Sequence, residues 1–84
     1  MNIQQLRYVV AIANSGTFRE AASKLFVSQP SLSVAIKDLE QELNFKIFTR
    51  TTTGAVLTSQ GMTFYERALE VVRSFDSFEN RYLN

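Results

Sequence analysis

The chain contains no cysteine, no histidine and no tryptophan among its 84 residues. Without Cys or His there is no thiol nucleophile, disulfide framework, zinc finger or Ser-His-Asp triad, so most ordinary enzyme sites and metal centres are excluded, and no cofactor is expected. Long apolar runs are also missing, and Met1-Asn2-Ile3-Gln4-Gln5 offers neither the charged start nor the apolar stretch that directs export. The expectation is a cytoplasmic protein that does not enter a membrane. An excess of either charge sign is absent too: nine Lys and Arg stand against eight Asp and Glu. With 45% hydrophobic residues, the composition fits one small domain or a piece of a larger protein. A core of this size is marginal without disulfides or metal, so a second chain or a further domain is expected to cover part of its apolar surface.

The near-zero net charge hides an uneven distribution. Residues 1–37 hold Arg7, Arg19, Lys24 and Lys37 against Glu20 alone, residues 38–43 hold only Asp38, Glu40 and Glu42, and residues 44–61 hold only Lys46 and Arg50. One face can therefore meet a polyanion while the acidic cluster points away, although an asymmetry this small is equally the mark of a solvated surface.

Ile3, Leu6, Val9, Val10 and Ala13 recur at helical spacing, with Asn2 able to cap the start and Gly16 able to close the end, which predicts a helix over 3–15. Thr17-Phe18-Arg19-Glu20 has the pattern of a capping box and opens a second helix of about two turns, carrying Ala21, Ala22 and Leu25 on the Phe18 face. Ser28-Gln29-Pro30 reads as a cap with proline in the first turn, where its missing N–H costs nothing. Leu32, Ile36, Leu39 and Leu43 then mark the buried stripe of a third helix. Phe45 to Leu57, rich in aromatic and β-branched residues around Gly54, predicts a small hairpin, and Thr58-Ser59-Gln60 can cap a last helix running to about Tyr82. The fold class expected is mainly α: a winged helix-turn-helix over residues 1–58, with a three-helix core and a two-stranded wing, followed by a long helix over 59–84.

A major groove admits one α-helix, which must bury one stripe and present short polar side chains near its N-terminus, where free amides also favour phosphate. Ser28, Gln29, Ser31, Ser33 and Lys37 lie in the first turn or opposite the apolar stripe of the third helix, and Pro30 and Val34 can lie against a thymine methyl. Gln29 can both donate to and accept from an adenine edge, while the serines and Lys37 can reach bases or phosphates. Arg19, in the first turn of the second helix, is placed to meet a phosphate. The same residue types also occur where helix starts are merely capped and solvated.

Leu25-Phe26-Val27-Ser28-Gln29-Pro30-Ser31-Leu32-Ser33, Ile36-Lys37-Asp38-Leu39-Glu40, Phe48-Thr49-Arg50 and Leu57-Thr58-Ser59-Gln60-Gly61 together resemble the N-terminal DNA-binding domain of LysR-type bacterial transcriptional regulators. The resemblance spans essentially the whole chain, with its four motifs in matching order. It implies a winged helix-turn-helix that reads a dyad-symmetric site in double-stranded DNA, and a linker helix that pairs antiparallel in a homodimer, with a tetramer for the full-length protein. It also implies a C-terminal domain, outside these residues, through which a small-molecule effector acts. Gln29, Pro30, Ser33 and Lys37 fall where members of the family touch bases or phosphates, and Arg50, with Thr51 and Thr53 beside it, falls on the wing near the adjacent minor groove or backbone. Many members carry a basic or polar residue where Val34 stands and a basic one where Thr53 stands. Two potential contacts are thus absent, and modest affinity of the isolated domain follows, with greater reliance on paired sites.

In the last helix Phe64, Ala68, Val71, Phe75, Phe78 and Tyr82 alternate spacings of four and three, a pattern suited to a partner helix. Met62, Tyr65, Leu69 and Val72 form a neighbouring stripe expected to pack on the domain's own first helix. Two other classes compete with DNA recognition. A winged helix whose polar face binds protein would be far less sensitive to salt. An enzyme built on Asp38 and Glu42, four apart on one helix, lacks a nucleophile, a ligand set and a pocket, so no catalytic residue is assigned.

Overall fold

The computed structural model describes residues 1–83. Its elements run α1 (Ile3–Ser15), α2 (Phe18–Leu25), α3 (Gln29–Leu43), β1 (Phe48–Thr51), β2 (Gly54–Leu57) and α4 (Ser59–Leu83). Each helix starts where a short polar side chain can take up a free amide. Asn2 Oδ1 accepts from the Gln5 amide at 2.9 Å while Gln5 Oε1 accepts from the Asn2 amide at 3.1 Å, a complete capping box. At α2 only half of the expected box forms: Thr17 Oγ1 accepts from the Glu20 amide at 3.0 Å, but the Glu20 carboxylate turns instead to Lys24 at 3.3 Å. Thr58 Oγ1 opens α4, accepting from the Gly61 amide at 2.9 Å and donating to the Lys46 carbonyl at 2.6 Å.

The C-terminal caps are less conventional. Gly16 closes α1 in the left-handed region at φ 84°, as expected. Phe26 closes α2 and Asn44 closes α3 in the same region, at φ 58° and 64°. Asn tolerates this conformation, whereas a bulky side chain adopts it rarely. The Phe26 ring gains nothing in return, being 94% exposed.

Val9, Ile12, Phe18, Ala21, Ala22, Leu32, Ile36, Leu39, Ile47 and Phe48 form one buried cluster where α1, α2, α3 and the start of the wing meet. Ile12, Leu32, Leu39, Ile47 and Val9 are its largest fully buried members, each stabilising by roughly 1.5–3 kcal/mol. The wing is antiparallel, with Phe48 opposite Leu57 and Arg50 opposite Ala55, and the Ala55 amide donates to the Gly16 carbonyl at 2.8 Å. That bond fastens the second strand to the α1–α2 turn.

α4 lies along α1. Tyr65 donates to Asn14 Oδ1 at 2.9 Å, and further on Arg7 Nη2 donates to Asp76 Oδ1 at 2.6 Å, with Glu79 4.0 Å away. Arg7 also stands 5.5 Å over the Phe75 ring. Gly61 sits against the Ile47 carbonyl oxygen so closely that a Cβ there would overlap it. These contacts correct the two-stripe reading of α4. Ala68, expected in a partner seam, is 3% exposed within the chain's own fold, and Phe64 meets Phe45 edge to face at 6.2 Å between ring centres. Met62, expected to pack inward, is exposed. The reason is that α4's first turns lie in a cleft between α1 and the Phe45–Leu57 segment, which covers a wider arc than α1 alone. Val71 already faces away from this cleft, and beyond Val72, where only α1 remains alongside, Phe78 and Tyr82 are left uncovered, with Phe75 partly so. Among the described residues no helix is long and apolar enough to cross a membrane.

Candidate nucleic-acid interface

The start of α3 is shaped by its own serines. Ser28 Oγ accepts from the Ser31 amide at 3.1 Å and donates to Ser31 Oγ at 2.8 Å, while Pro30 fills the first turn. Both serines remain exposed, but part of their bonding capacity is spent on holding the helix end. Because Leu32, Ile36 and Leu39 are buried, α3 shows two flanks to solvent. Pro30, Ser31 and Val34 line an open concavity with Asn2, Gln4, Gln5, Tyr8 and Asp38, on the side of the start of α1. Gln29, Ser33 and Lys37 face the wing.

On the wing side the predicted residues converge. Gln29, Arg19, Arg50, Thr51 and Thr53 line one shallow concavity, and Ser33, Lys37 and Arg50 line a second that also includes Lys46. Four cations, Arg19, Lys37, Lys46 and Arg50, are thereby gathered on one side of a chain whose formal net charge is only +1. Thr51 Oγ1 is occupied in shaping the wing tip: it accepts from the Gly54 amide at 3.1 Å and donates to the Gly54 carbonyl at 3.1 Å. Thr53 lies 3.4 Å away, hydroxyl to hydroxyl.

Arg50 is held from two directions. Its Nη2 donates to Ser33 Oγ at 2.6 Å, and its guanidinium carbon stands 3.7 Å over the Phe18 ring, a cation–π contact. Phe18 is in turn fixed edge to face against Phe48, with ring centres 5.8 Å apart. A link therefore runs from α2 through the wing to the exposed flank of α3.

Glu40 supplies a second link, which sequence reasoning missed by placing this residue in an acidic cluster turned to solvent. Its side chain is 11% exposed, and its Oε2 accepts from the Ile47 and Phe48 amides at 2.7 and 3.2 Å. Lys46 lies 3.8 Å from the other carboxylate oxygen. The carboxylate thus caps the start of β1 and fixes the wing's base against α3. The available signal was position: Glu40 follows Ile36 by four residues and so sits at the edge of the buried stripe rather than opposite it. Phe18 was legible as core but not as the platform under Arg50.

Glu42, by contrast, is exposed and pairs with the N-terminal ammonium at 2.7 Å, and Asp38 is exposed on the Pro30 flank. Among the described residues no group of three or more acidic, Cys or His side chains is placed to hold a metal.

Comparison with known proteins follows the same outline. Residues 3–62 match the family described as bacterial regulatory helix-turn-helix protein, lysR family. The chain is 43% identical over 77 residues to the HTH-type transcriptional regulator BudR of Klebsiella aerogenes, an alignment covering 92% of this chain and 54% of BudR. It is 44% identical over 68 residues to the HTH-type transcriptional regulator ClcR of Pseudomonas putida, covering 81% of this chain and 23% of ClcR. The chain thus spans about half of the first relative and under a quarter of the second. Among solved structures, the DNA-binding domain of BenM in complex with its catB site 1 DNA superimposes with a TM-score of 0.92 at 33% identity, covering 96% of this chain and 91% of that one. The CbnR DNA-binding domain in its DNA complex gives 0.90 at 32% identity, covering 96% and 93%.

Proposed function

Because the chain belongs to the LysR family of bacterial regulatory helix-turn-helix proteins, we propose that it binds double-stranded DNA sequence-specifically as the DNA-binding domain of a transcriptional regulator. The observation that carries this reading is the gathering of Arg19, Lys37, Lys46 and Arg50 beside the exposed flank of α3. In it α3 enters the major groove. Gln29, Pro30, Ser31, Ser33 and Val34 face base edges, and the exposed turn at Ser28 approaches the backbone. Lys37, Lys46 and Arg19 meet phosphates, while Arg50, Thr51 and Thr53 bring the wing to the adjacent minor groove or backbone. Residues 1–58 act as the reading unit and 59–84 as the linker.

The uncovered end of α4 supports pairing: Val71, Phe75, Phe78 and Tyr82 form the seam of a homodimer that places two α3 helices on one dyad-symmetric site. In the longer protein the function is regulation without catalysis, in the cytoplasm. A small-molecule effector acts there through a domain outside these residues, and dimers assemble into tetramers.

In vitro selection on random duplex DNA tests the reading. The expected result is an enriched inverted repeat whose half-sites lie on one side of the duplex, bound with strong salt dependence. Each phosphate neutralised contributes about −0.9 to the slope of log affinity against log salt, so Lys46→Ala is expected to flatten the slope by about that amount per chain and leave base preference intact. No enriched motif, at salt low enough to see general binding, would overturn it.

A further inference from the structure

Arg50 is the residue whose chemistry the reading above does not exhaust. A wing arginine serving only as a phosphate contact needs no partner in the free domain. Here it has two, the Phe18 ring at 3.7 Å and Ser33 Oγ at 2.6 Å. We propose that Arg50 sets the base preference of α3 by biasing the polarity of the Ser33 hydroxyl, tilting Ser33 toward donating its hydrogen bond.

A serine hydroxyl carries one hydrogen and two lone pairs, and its rotor turns to suit whatever it meets, so an unrestrained serine tells donors from acceptors poorly. A guanidinium has donors only and cannot lose a proton. Where its Nη2–H occupies one lone pair of Ser33, the hydroxyl hydrogen is turned away from the guanidinium, and the charge strengthens the bond that holds it there. Ser33 is half-buried on α3 between Leu32 and the exposed Val34, so its backbone is fixed by the core beneath it. Removing Arg50 frees the hydroxyl to rotate, or to bond back to the Gln29 carbonyl one turn earlier, as serines within helices do.

In the major groove this polarity has a definite reading. Purine N7, guanine O6 and thymine O4 accept hydrogen bonds, whereas the cytosine N4 amino group donates one. With its hydrogen turned from the guanidinium and one lone pair taken, Ser33 favours an acceptor at the base it faces over the cytosine amino group, which can use only the remaining lone pair. The Phe18 ring is what makes the arrangement specific to arginine: a flat guanidinium lies on an aromatic face with one in-plane N–H held in a fixed sideways direction, whereas the three donors of an ammonium turn freely about its stem. Arg50 is thus a positioning residue for Ser33, whatever contact it also makes to the backbone.

The inference rests on the DNA-binding reading, and its test is built to fail separately. Binding-site selection and titration on defined duplexes are carried out with the 84-residue chain and with its Arg50→Lys, Arg50→Gln and Ser33→Ala variants. Arg50 is exposed and covers only the outer face of Phe18, so a urea midpoint for each variant confirms that the core stays folded. The expected result is that Arg50→Lys, which keeps the charge, retains the salt slope but loses about fivefold or more of its preference at one base pair in each half-site, admitting cytosine there. Ser33→Ala is expected to lose preference at the same base pair, and adding Arg50→Lys to it to cost no further discrimination. Uniform weakening of all sequences by Arg50→Gln, with the base preference of Arg50→Lys unchanged, would overturn the inference and leave Arg50 a phosphate contact. A parent chain that enriches no motif would overturn the reading and the inference together.

Discussion

The two halves of α4 each carry apolar residues at helical spacing and meet opposite fates. Up to Val72 the helix lies in a cleft, with Gly61 against the Ile47 carbonyl, Phe64 against Phe45, and Ala68 and Val72 buried. Beyond it Phe78 and Tyr82 are 63% and 67% exposed, their ring centres 5.0 Å apart. Polar clamps continue along the second half, through Arg7, Asp76 and Glu79, but no apolar surface follows them. The difference teaches that helical periodicity states that a face must be covered and is silent on what covers it. Where the chain's own elements reach, the stripe becomes core; where they stop, it becomes a surface for another molecule.

The comparison breaks most severely if the first half tolerates a charge. Ala68→Asp buries a carboxylate with no partner and is expected to cost about 4 kcal/mol, read as a lower urea midpoint; an unchanged midpoint would mean that the halves do not differ. On the outer half, Phe78→Ser combined with Tyr82→Ser is expected to weaken self-association by about a hundredfold in sedimentation equilibrium, roughly 3 kcal/mol. In dilute solution its urea midpoint should stay within about 0.5 kcal/mol of the parent's.

Phe26 sharpens the point, being exposed like Phe78 but isolated from any stripe. Phe26→Asn relieves a left-handed conformation and should raise stability by about 0.5–1 kcal/mol while leaving association untouched; a change in sedimentation would tie the ring to the partner surface.

The smallest effect concerns the clamp. The hydrogen bond from Arg7 holds the Asp76 carboxyl below its ordinary range, opposed by partial desolvation. The folded state therefore takes up this proton less readily than the unfolded chain does. The stabilisation is full above the ordinary carboxylate range and disappears as pH falls through the lowered value. Melting curves of the parent and Asp76→Asn should differ at neutral pH and converge in strong acid, and a gap that persists there would exclude the ion pair as its source.

Much of this was readable in the residues themselves. Asn2, Thr17, Ser28 and Thr58 cap the four helices because short polar side chains at those points have free amides to meet, and the Leu32, Ile36 and Leu39 stripe buries as its spacing requires. Orienting α3 by that stripe put Gln29 and Lys37 on its exposed side, but Arg50 was placed on the wing only by resemblance to a family, and the concavities that bring them together with Arg19 depend on how the wing folds back. Glu40 and Lys46 were not legible in their roles, because a carboxylate that caps two amides seven and eight residues away depends on where the chain returns after Asn44, which no local pattern encodes. Phe26 was opaque for another reason: a left-handed position announces itself only when Gly or Asn fills it. The inward turn of Phe64 and Ala68 depends on the width of the cleft, a property of three elements together.

Mechanically, α4 is a cantilever. Its 25 residues reach about 37 Å, yet it is riveted to α1 at two widely separated points, Tyr65 to Asn14 and Asp76 to Arg7. A rod fixed at one point pivots; a rod fixed at two carries torque into its mount. From the first rivet the arm to Leu83 is about 27 Å, so each degree of turn there moves the far end by about 0.5 Å, and the second rivet couples that turn to α1, whose core contacts seat α3. A load applied near Leu83 thus has a mechanical route through the Arg7–Asp76 pair into α1 and the core on which α3 sits.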